Sequence, residues 1–429
     1  MQKNIRFVIT AVCIILTTTV KSQTDNAIKQ DSLHLTLESA ERMFLNKNLL
    51  LLAQHSNIDA QKALIIQAKL FPNPNLNFST TLYQPITKKL LPVGQDGEIS
   101  GGISQVILLA SKHNKEVKLA ETNAMLSEFQ YYDLLRTLKH TLNSDFFNIH
   151  YLLQSSKAYD TEISTLQKVT DAFSQQQGKG YISEKEALRI KAQLYSLQSE
   201  YNDLKGQIYT LQSELRLLLQ INNVFVVPDI DSITIANLNP SKYPLSVMID
   251  SAYTLRPDLQ IAKTNVDIST LNYKLQKSMS VPDLTLQVGY DQQGSYINNL
   301  TTLGLGVDIP ILNRNQGNIK SAKALIDYNK ETLESVKESV KEQVYLALQK
   351  AFDNRNLLKS RDPLFEKNFN RLQNEVLKNY QVRNITLLDF LDFYDSYKQN
   401  MLQINSISFN YINAFEDLSF YTGINFFNK

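Results

Sequence analysis

The sequence is poor in the residues that cross-link or punctuate small domains. Its 429 residues include one cysteine, no tryptophan, 13 glycines and 11 prolines. The cysteine, Cys13, lies in an apolar N-terminal stretch, so the rest of the chain has no disulfide and no thiol chemistry. Scarce glycine and proline, together with abundant Leu, Lys, Asn and Gln, favour long helices over a compact mixed domain.

A surplus of one charge is also missing. The chain has 44 Lys and Arg against 42 Asp and Glu, a formal net charge of +2, which argues against a nucleic-acid partner. Beyond the N-terminal stretch, no apolar run reaches the ~20 residues that a membrane-spanning helix needs. If the chain crosses a membrane, we therefore expect it to do so with strands.

The first 22 residues are typical of a secretory signal. Basic residues precede an apolar stretch at 7–16, and Val20 and Ser22 provide the small residues of a cleavage site before Gln23. The apolar stretch is shorter than a membrane anchor, and it continues past Cys13, which disfavours lipidation. We predict that residues 1–22 are a cleaved signal peptide and that the mature chain is exported without a lipid.

The remaining chain contains one pattern twice. Residues 33–221 and 244–423 each run as a helix, two strand-like segments and a long helical region, and 64–79 aligns with 272–287. Proline and aspartate interrupt the helical period between the halves. The predicted units are a signal peptide at 1–22, a first structural repeat at 23–223, a linker at 224–244 and a second structural repeat at 245–429.

Both long helical regions carry a coiled-coil seam. Apolar residues alternate spacings of three and four from Ala187 to Leu218, and the same pattern runs from Leu387 to Leu418 with one polar member. An ordinary amphipathic helix would drift off a strict seven-residue repeat over this length. The pattern therefore predicts helices that pack together along most of their length.

Each helical region is predicted to have one break. The first break falls at 178–181 and the second at 382–384, and Ser183 and Thr386 are natural N-caps for the helices that follow. Each repeat should therefore end in a helical hairpin whose turn lies far from the strands.

Four segments alternate apolar with small or hydrophilic residues at a period of two: 75–83, 98–104, 284–291 and 301–309. A half-buried hairpin in a soluble α+β domain would alternate in the same way. In an exported chain, however, these lengths and the polar opposite face favour membrane strands of ~9–11 residues. The predicted lipid-facing residues are Leu284, Leu286, Val288, Leu303, Leu305 and Val307.

Four strands cannot close a barrel by themselves. An open sheet edge in lipid leaves backbone groups without hydrogen bonds, at several kcal/mol each. If these strands enter a bilayer, the protein must form an oligomer. Two copies would supply eight strands and three copies twelve.

Five short motifs follow one another along the chain: LFPNPNL (70–76), SELRLLLQI (213–221), LRPDLQIA (255–262), VDIPILNRNQGNIKSAKA (307–324) and FEDLSFYTGI (415–424). In this order they resemble the TolC family of outer-membrane efflux proteins, and in general style its heavy-metal branch. The resemblance covers nearly the whole mature chain. Each motif is weak alone, but their order and their occurrence in both halves make the resemblance specific.

The resemblance implies a fold that is mainly α with β. Two long α-helical coiled-coil hairpins and four β-strands per chain would form, in a homotrimer, an α-helical barrel in the periplasm and a shared 12-stranded transmembrane β-barrel in outer-membrane lipid. The chain would be a passive exit duct of a tripartite efflux or type I secretion system. Its partners would be a periplasmic adaptor (membrane fusion) protein and an inner-membrane pump such as an RND transporter.

The resemblance also assigns roles to the ends of the helical hairpins. Asp389 and Asp392 fall on the acidic positions of the family's periplasmic gate, and Arg383 stands where the family usually has glycine. A solvated helix face is the competing explanation for the two aspartates. The adaptor-docking tips would be Gly180, Tyr181, Ile182 and Ser183 in the first repeat and Arg383, Asn384, Ile385 and Thr386 in the second.

The residues give no support for catalysis or for a cofactor. The five histidines are scattered without helical ligand spacing, and no nucleophile elbow or phosphate-binding glycine loop is found. We predict no enzyme activity, no cofactor and no bound metal. The alternative to a channel is a periplasmic structural coiled-coil or adaptor protein without a membrane barrel, which would share the export signal and the heptads.

Overall fold

The computed structural model describes residues 31–177, 183–230, 238–293, 297–362 and 364–427. The predicted signal peptide therefore lies outside the described residues. In the first half the elements are β1 (Asp31–Thr36), α1 (Leu37–Lys47), α2 (Leu49–Ala68), β2 (Asn75–Thr80), β3 (Tyr83–Gln84), β4 (Lys89–Leu90), β5 (Ile99–Ile107), α3 (Lys112–Gln177), α4 (Glu184–Leu219) and β6 (Val224–Asp229).

The second half follows the same order. Its elements are α5 (Leu245–Leu255), α6 (Pro257–Met279), β7 (Leu284–Gln293), β8 (Asn298–Val307), α7 (Gln316–Lys359), α8 (Phe365–Gln381) and α9 (Leu387–Thr422). The longest helix, α3, has 66 residues and therefore extends roughly 100 Å at 1.5 Å per residue. Among the described residues, no helix combines the length and the apolar character needed to cross a membrane.

The two halves share a kink between their first two helices. Asn48 separates α1 from α2, and its side chain accepts hydrogen bonds from the first backbone amides of α2 and donates to Leu218 O at 3.0 Å. Arg256 separates α5 from α6 and donates to Tyr421 O at 3.4 Å, near the end of α9. In each repeat, the residue at the kink is thus tied to the end of that repeat's last helix.

The helices lie side by side in two rows that share α3 and α7. Toward the strands the order of packing is α2, α3, α6 and α7. Toward the hairpin turns the order is α4, α3, α9 and then α7 and α8. Each row therefore has a first-repeat helix at one edge and a second-repeat helix at the other.

The four long strands form one antiparallel sheet in the order β2-β5-β7-β8. Strands β5 and β7 join the hairpins of the two repeats, with Ile107 opposite Leu284 and Ser100 opposite Asp291. The edges are β2 from the first repeat and β8 from the second, so the sheet has the same arrangement of repeats as the helical rows.

Two features were not anticipated from the sequence. Within the stretch 224–244, β6 pairs in parallel with β1 and packs into the core. The expectation of one break per helical region is wrong for the second region, because the helix is interrupted between Lys359 and Phe365 as well as between Gln381 and Leu387. The sequence has a proline at 363, and a proline cannot donate the backbone hydrogen bond of a continuing helix.

The predicted coiled-coil seams form much of the core. Ile190, Leu194 and Leu197 of α4 pack in one buried cluster with Phe390 and Tyr394 of α9. A second cluster surrounds α1, the middle of α3 and the end of α4, and a third surrounds α5, α7 and the end of α9. The heptad pattern therefore identified the faces that the helices bury against one another.

Candidate functional site

The sheet has one apolar face. Leu284 lies opposite Val307, Leu286 opposite Leu305, and Val288 opposite Leu303, and directly opposed residues of antiparallel strands point to the same side. This apolar sheet face therefore contains all six of the predicted lipid-facing side chains: Leu284, Leu286, Val288, Leu303, Leu305 and Val307. In the single chain Leu303 and Leu305 are 74% and 69% exposed, so nothing within the chain covers them.

The other face of the sheet is polar and crowded. One row across all four strands consists of Asn77, Gly102, Gly289 and Thr302. A Cβ atom on Gly102 would lie 2.9 Å from Asn77 Oδ1, and a Cβ on Gly289 would lie 2.9 Å from Thr302 Oγ1. A side chain at either glycine would therefore displace a polar neighbour, so this face of the sheet is closely packed.

A largely buried ion pair lies at the junction between the sheet and the long helices. Lys112, whose side chain is 4% exposed, lies at the start of α3, and its Nζ atom is 2.7 Å from Asp283 Oδ1 just before β7. The same carboxylate accepts a hydrogen bond from the backbone amide of Leu109 at 2.9 Å. These contacts join the two repeats at the junction between the sheet and the helical rows.

The second hairpin tip has a well-defined turn at the end of α8. Asn384 N donates to Asn379 O at 2.8 Å and Arg383 N donates to Tyr380 O at 3.0 Å, which is the pattern of a Schellman motif. Arg383 has φ of 61°, a conformation that glycine adopts without steric cost. The turn geometry that glycine usually provides is therefore adopted here by an arginine, with some backbone strain.

Both tips then start the next helix with a capping box. Thr386 N and Oγ1 donate to Asp389 Oδ2 at 3.2 and 2.7 Å, and Ser183 pairs with Glu186 in the same way at the start of α4. The hydrogen bonds from Thr386 hold the pKa of Asp389 below its usual range. Asp389 is therefore engaged in a cap, whereas Asp392 lies one turn further along α9 with an exposed side chain.

The remaining predicted tip residues are placed as follows. Gly180, Tyr181 and Ile182 lie outside the described residues. Ile385, directly before the cap of α9, packs against the apolar cluster that contains Phe390. This arrangement resembles a hydrophobic staple and fixes the direction in which the chain enters α9.

A buried ionic cluster, which was not predicted from the sequence, lies between the two helical hairpins. Lys398 of α9 has a side chain that is 1% exposed, and its Nζ atom lies 2.7 Å from Glu200 Oε2 of α4 and 3.0 Å from Asp395 Oδ1. Burial lowers the pKa of Lys398, but the hydrogen bonds to Glu200 and Asp395 and the nearby charge of Glu162 raise it further, so the net direction is upward. Lys398 therefore stays charged and links two helices of different repeats.

Glu162 of α3 completes this cluster and is 1% exposed. Burial raises the pKa of Glu162 to about 8, although the charge of Lys398 acts in the opposite direction. Its Oε2 atom has no hydrogen-bond partner among the described residues. The position of Lys398, four residues after the seam residue Tyr394, was the one indication in the sequence that this lysine faces inward.

The described part of the chain contains no group of three or more His, Cys, Asp or Glu side chains that could hold a metal ion.

The geometry described above is a two-faced sheet on a long helical scaffold with an ordered turn at its far end. Residues 248–423, most of the second repeat, match the family described as outer membrane efflux protein. The second repeat thus carries the sequence pattern of this family. The resemblance expected from the motifs, and with it the expected outer-membrane location, agrees with this match.

The relatives that match a longer part of the chain are distant in sequence. It is 21% identical over 291 residues to the cobalt-zinc-cadmium resistance protein CzcC of Cupriavidus metallidurans. The alignment covers 67% of this chain and spans 66% of the length of that relative.

Solved structures share the fold across nearly the whole chain. The CmeC outer membrane channel of Campylobacter jejuni superposes with a TM-score of 0.72 at 15% identity, over 90% of this chain and 85% of that chain. CusC superposes with a TM-score of 0.71 at 15% identity, over 94% of this chain and 95% of that chain. The predicted fold class, long helices with a small set of strands, is thus confirmed.

Proposed function

We propose that this outer membrane efflux protein is one subunit of a homotrimeric exit duct. The duct would carry cargo passively from the periplasm to the exterior, as part of a tripartite efflux or type I secretion system, without enzymatic activity. The strands would form the outer-membrane part of the wall and the helices the periplasmic part.

The observation that carries the proposal is the order of elements in each layer. The edge strands of the sheet are β2 and β8. The edge helices are α2 and α7 in the row near the strands, and α4 and α8 in the row near the hairpin turns. In all three layers one edge belongs to the first repeat and the other to the second. Copies can therefore join head to tail, first-repeat edge against second-repeat edge, and a ring is the closed form of such an interface.

The strand direction fits this closure. Neighbours alternate along β2-β5-β7-β8, so β8 of one copy and β2 of the next would also be antiparallel. Three copies would supply twelve strands. Because this number is even, all neighbours can be antiparallel and the closed barrel has no open edge. The apolar sheet face would then contact lipid, and the crowded row of Asn77, Gly102, Gly289 and Thr302 would line the inside.

Apolar side chains on the edge helices support the same interface. In the single chain, Leu50 and Ile66 of α2 are 58% and 68% exposed, and Tyr328 and Leu346 of α7 are 66% and 51% exposed. A monomer would leave this apolar surface in water, which is typical of a surface that binds another protein.

The hairpin tips are the proposed contact with other proteins. Gly180 to Ser183 and Arg383 to Thr386 would dock a periplasmic adaptor, which in turn would connect to an inner-membrane pump such as an RND transporter. Asp392, with Asp389 one turn away, would form rings of carboxylates at the periplasmic end and act as a gate. The name of the relative CzcC makes divalent metal ions the first cargo to test in an export assay.

The trimer can be tested by cross-linking its sheet edges. With Cys13 replaced by alanine, one cysteine at Asn77 on β2 and one at Thr302 on β8 should allow a bis-maleimide to join neighbouring copies. We expect bands at two and three times the subunit mass in outer membranes and none above. A ladder that stops at two or continues past three would contradict the proposal.

A matched control uses the central strands. Ser104 of β5 lies directly opposite Gln287 of β7 in the same chain. Cysteines at these two positions should cross-link within one subunit and leave its mass unchanged. Multimers from this pair would show that the reagent cross-links subunits that collide at random.

A further inference from the structure

A cleft lies in the middle of the chain, where the neighbour of α3 changes from α6 to α9. It has a volume of about 670 Å³ and is lined by α1, α3, the junction of α5 and α6, and the last turns of α9 with the segment that follows. This size falls within the range of small-molecule sites, roughly 300–1,000 Å³. All of its walls come from one chain, so the cleft exists without a partner subunit.

The walls are mainly apolar and aromatic. The side chains that form them are Phe129, Tyr132, Leu135, Phe420 and Phe427. Phe420 is already covered, because Arg136 lies over its ring at 4.3 Å and His140 packs against it at 4.6 Å. Phe129, Tyr132 and Leu135 lie within two turns of α3 and leave room for a flat apolar group.

The basic side chains of the cleft already have carboxylate partners. The distances are 2.8 Å for Arg136–Asp133, 3.5 Å for Arg136–Asp258, 2.9 Å for Lys139–Glu41 and 2.9 Å for His140–Asp417. An anionic ligand would have to compete with these carboxylates for each basic group. The charges around the cleft therefore disfavour an anion.

One carboxylate in the cleft lacks an ionic partner among the described residues. Glu416 is 5% exposed, and its Oε2 atom accepts a hydrogen bond from Asn143 Nδ2 at 3.1 Å. Its Oε1 atom and Asn143 Oδ1 are both buried without hydrogen-bond partners in the described part of the chain. Leaving such buried acceptors without a donor destabilises the fold, and more so when the group is charged. A donor that enters the cleft would relieve this cost.

The electrostatic setting of Glu416 points the same way. Burial raises the pKa of Glu416 to about 7; the hydrogen bond from Asn143 and the charges of His140 and Lys139 lower it, and the charge of Glu41 raises it. A perturbed acid in an apolar cleft is a common property of binding sites. A cation beside Glu416 would stabilise its ionised form.

We propose that this cleft binds an amphipathic organic cation, an apolar aromatic body that carries a primary ammonium group. The ammonium would donate to Glu416 and Asn143, and the body would pack against Phe129, Tyr132 and Leu135. An ammonium has three donors, which suits two neighbouring acceptors. This inference does not depend on the trimer or on the cargo of the duct.

The absence of tryptophan from the chain allows a direct test. Phe129→Trp places the only tryptophan in the cleft wall, and dansylcadaverine, an aromatic primary amine, accepts energy from it. In purified full-length protein in dodecyl maltoside, we expect saturable transfer that 2-phenylethylamine competes away. The N-acetylated probe, which lacks the positive charge, should show only the linear background of micelle partition.

Two further substitutions in the Phe129→Trp background locate the ammonium. Glu416→Gln keeps the shape of the side chain and should weaken binding at least tenfold. Thr254→Arg adds a positive charge at the exposed rim and should weaken it too, so the test stands even if Glu416→Gln folds poorly. Glu331→Gln, on the exposed surface of α7, should leave binding unchanged, and circular dichroism should show the same helix content in all variants.

The outcomes separate cleanly. Saturable binding that depends on Glu416, Thr254 and the probe's charge supports the site. Equal binding by the N-acetylated probe, or binding that Glu416→Gln and Thr254→Arg leave unchanged, overturns it. Linear transfer alone in the parent protein also overturns it, and would mean that water occupies the cleft.

Discussion

At alkaline pH, Glu162→Gln should make the protein more stable than the wild type. The side chain is 1% exposed between α3, α4 and α9, and burial raises the pKa of its carboxyl to about 8 from an ordinary value of 4.5. The folded protein therefore keeps this proton over a pH range in which the unfolded chain has lost it. Glutamine has nearly the same shape and carries no charge at any pH.

The sign and size of the effect follow from proton linkage. Because the folded state binds more protons between pH 4.5 and 8, the free energy of unfolding falls as pH rises through this interval. Each pH unit corresponds to about 1.4 kcal/mol, so the full interval amounts to roughly 5 kcal/mol as an upper value. Pairing of the ionised Glu162 with Lys398 and rearrangement of the cluster would reduce it to a few kcal/mol.

The assay is thermal melting of the helical circular dichroism signal between pH 5 and 9.5. We expect wild type and Glu162→Gln to melt together near pH 5 and the variant to melt several degrees higher at pH 9.5. Glu331→Gln, an exposed glutamate on α7, should follow the wild type throughout. A difference between Glu162→Gln and wild type that does not change with pH would refute the reasoning.

Four other predictions concern the sheet, the cluster, the gate and the first turn of α9. Leu305→Arg should reduce insertion into the outer membrane, at a cost of about 2–4 kcal/mol, whereas Gln287→Arg on the opposite face should insert nearly normally in membrane fractionation. Lys398→Met removes the cation beside Glu200, Asp395 and the buried Glu162, and should lower the melting temperature, most strongly at high pH where Glu162 is ionised. In planar bilayers, Asp392→Asn should reduce cation selectivity and block by multivalent cations, and unchanged currents would reject the gate. Asp389→Asn should instead mainly weaken the first turn of α9, seen as faster hydrogen exchange there.

The periodic parts of the fold could be predicted because each depends on nearby residues. A period of two along 284–291 and 301–309 placed Leu286 and Leu305 on one face, since strand geometry alternates side chains whatever the strand's neighbours are. Spacings of three and four from Leu387 to Leu418 identified the buried side of α9 for a similar reason. Thr386 as an N-cap was also predictable, because a cap needs only the following three residues.

Features that join distant parts of the chain could not be predicted. The pairing of β1 with β6 depends on residues such as Ser32 and Phe225 meeting after a long excursion of the chain. The hydrogen bond from Asn48 to Leu218 likewise joins residues 170 positions apart.

The sequence alone determined the repeated order of elements, the two-faced strands and the helical seams, because these follow from patterns along the chain. Only the tertiary structure decided which helices are neighbours, and with it the burial of Lys398 beside Glu162 and the cleft around Glu416. The physical reason is that the charge state of a buried group depends on side chains from other helices. In this chain those partners, such as Glu200 for Lys398, lie almost two hundred positions away in sequence.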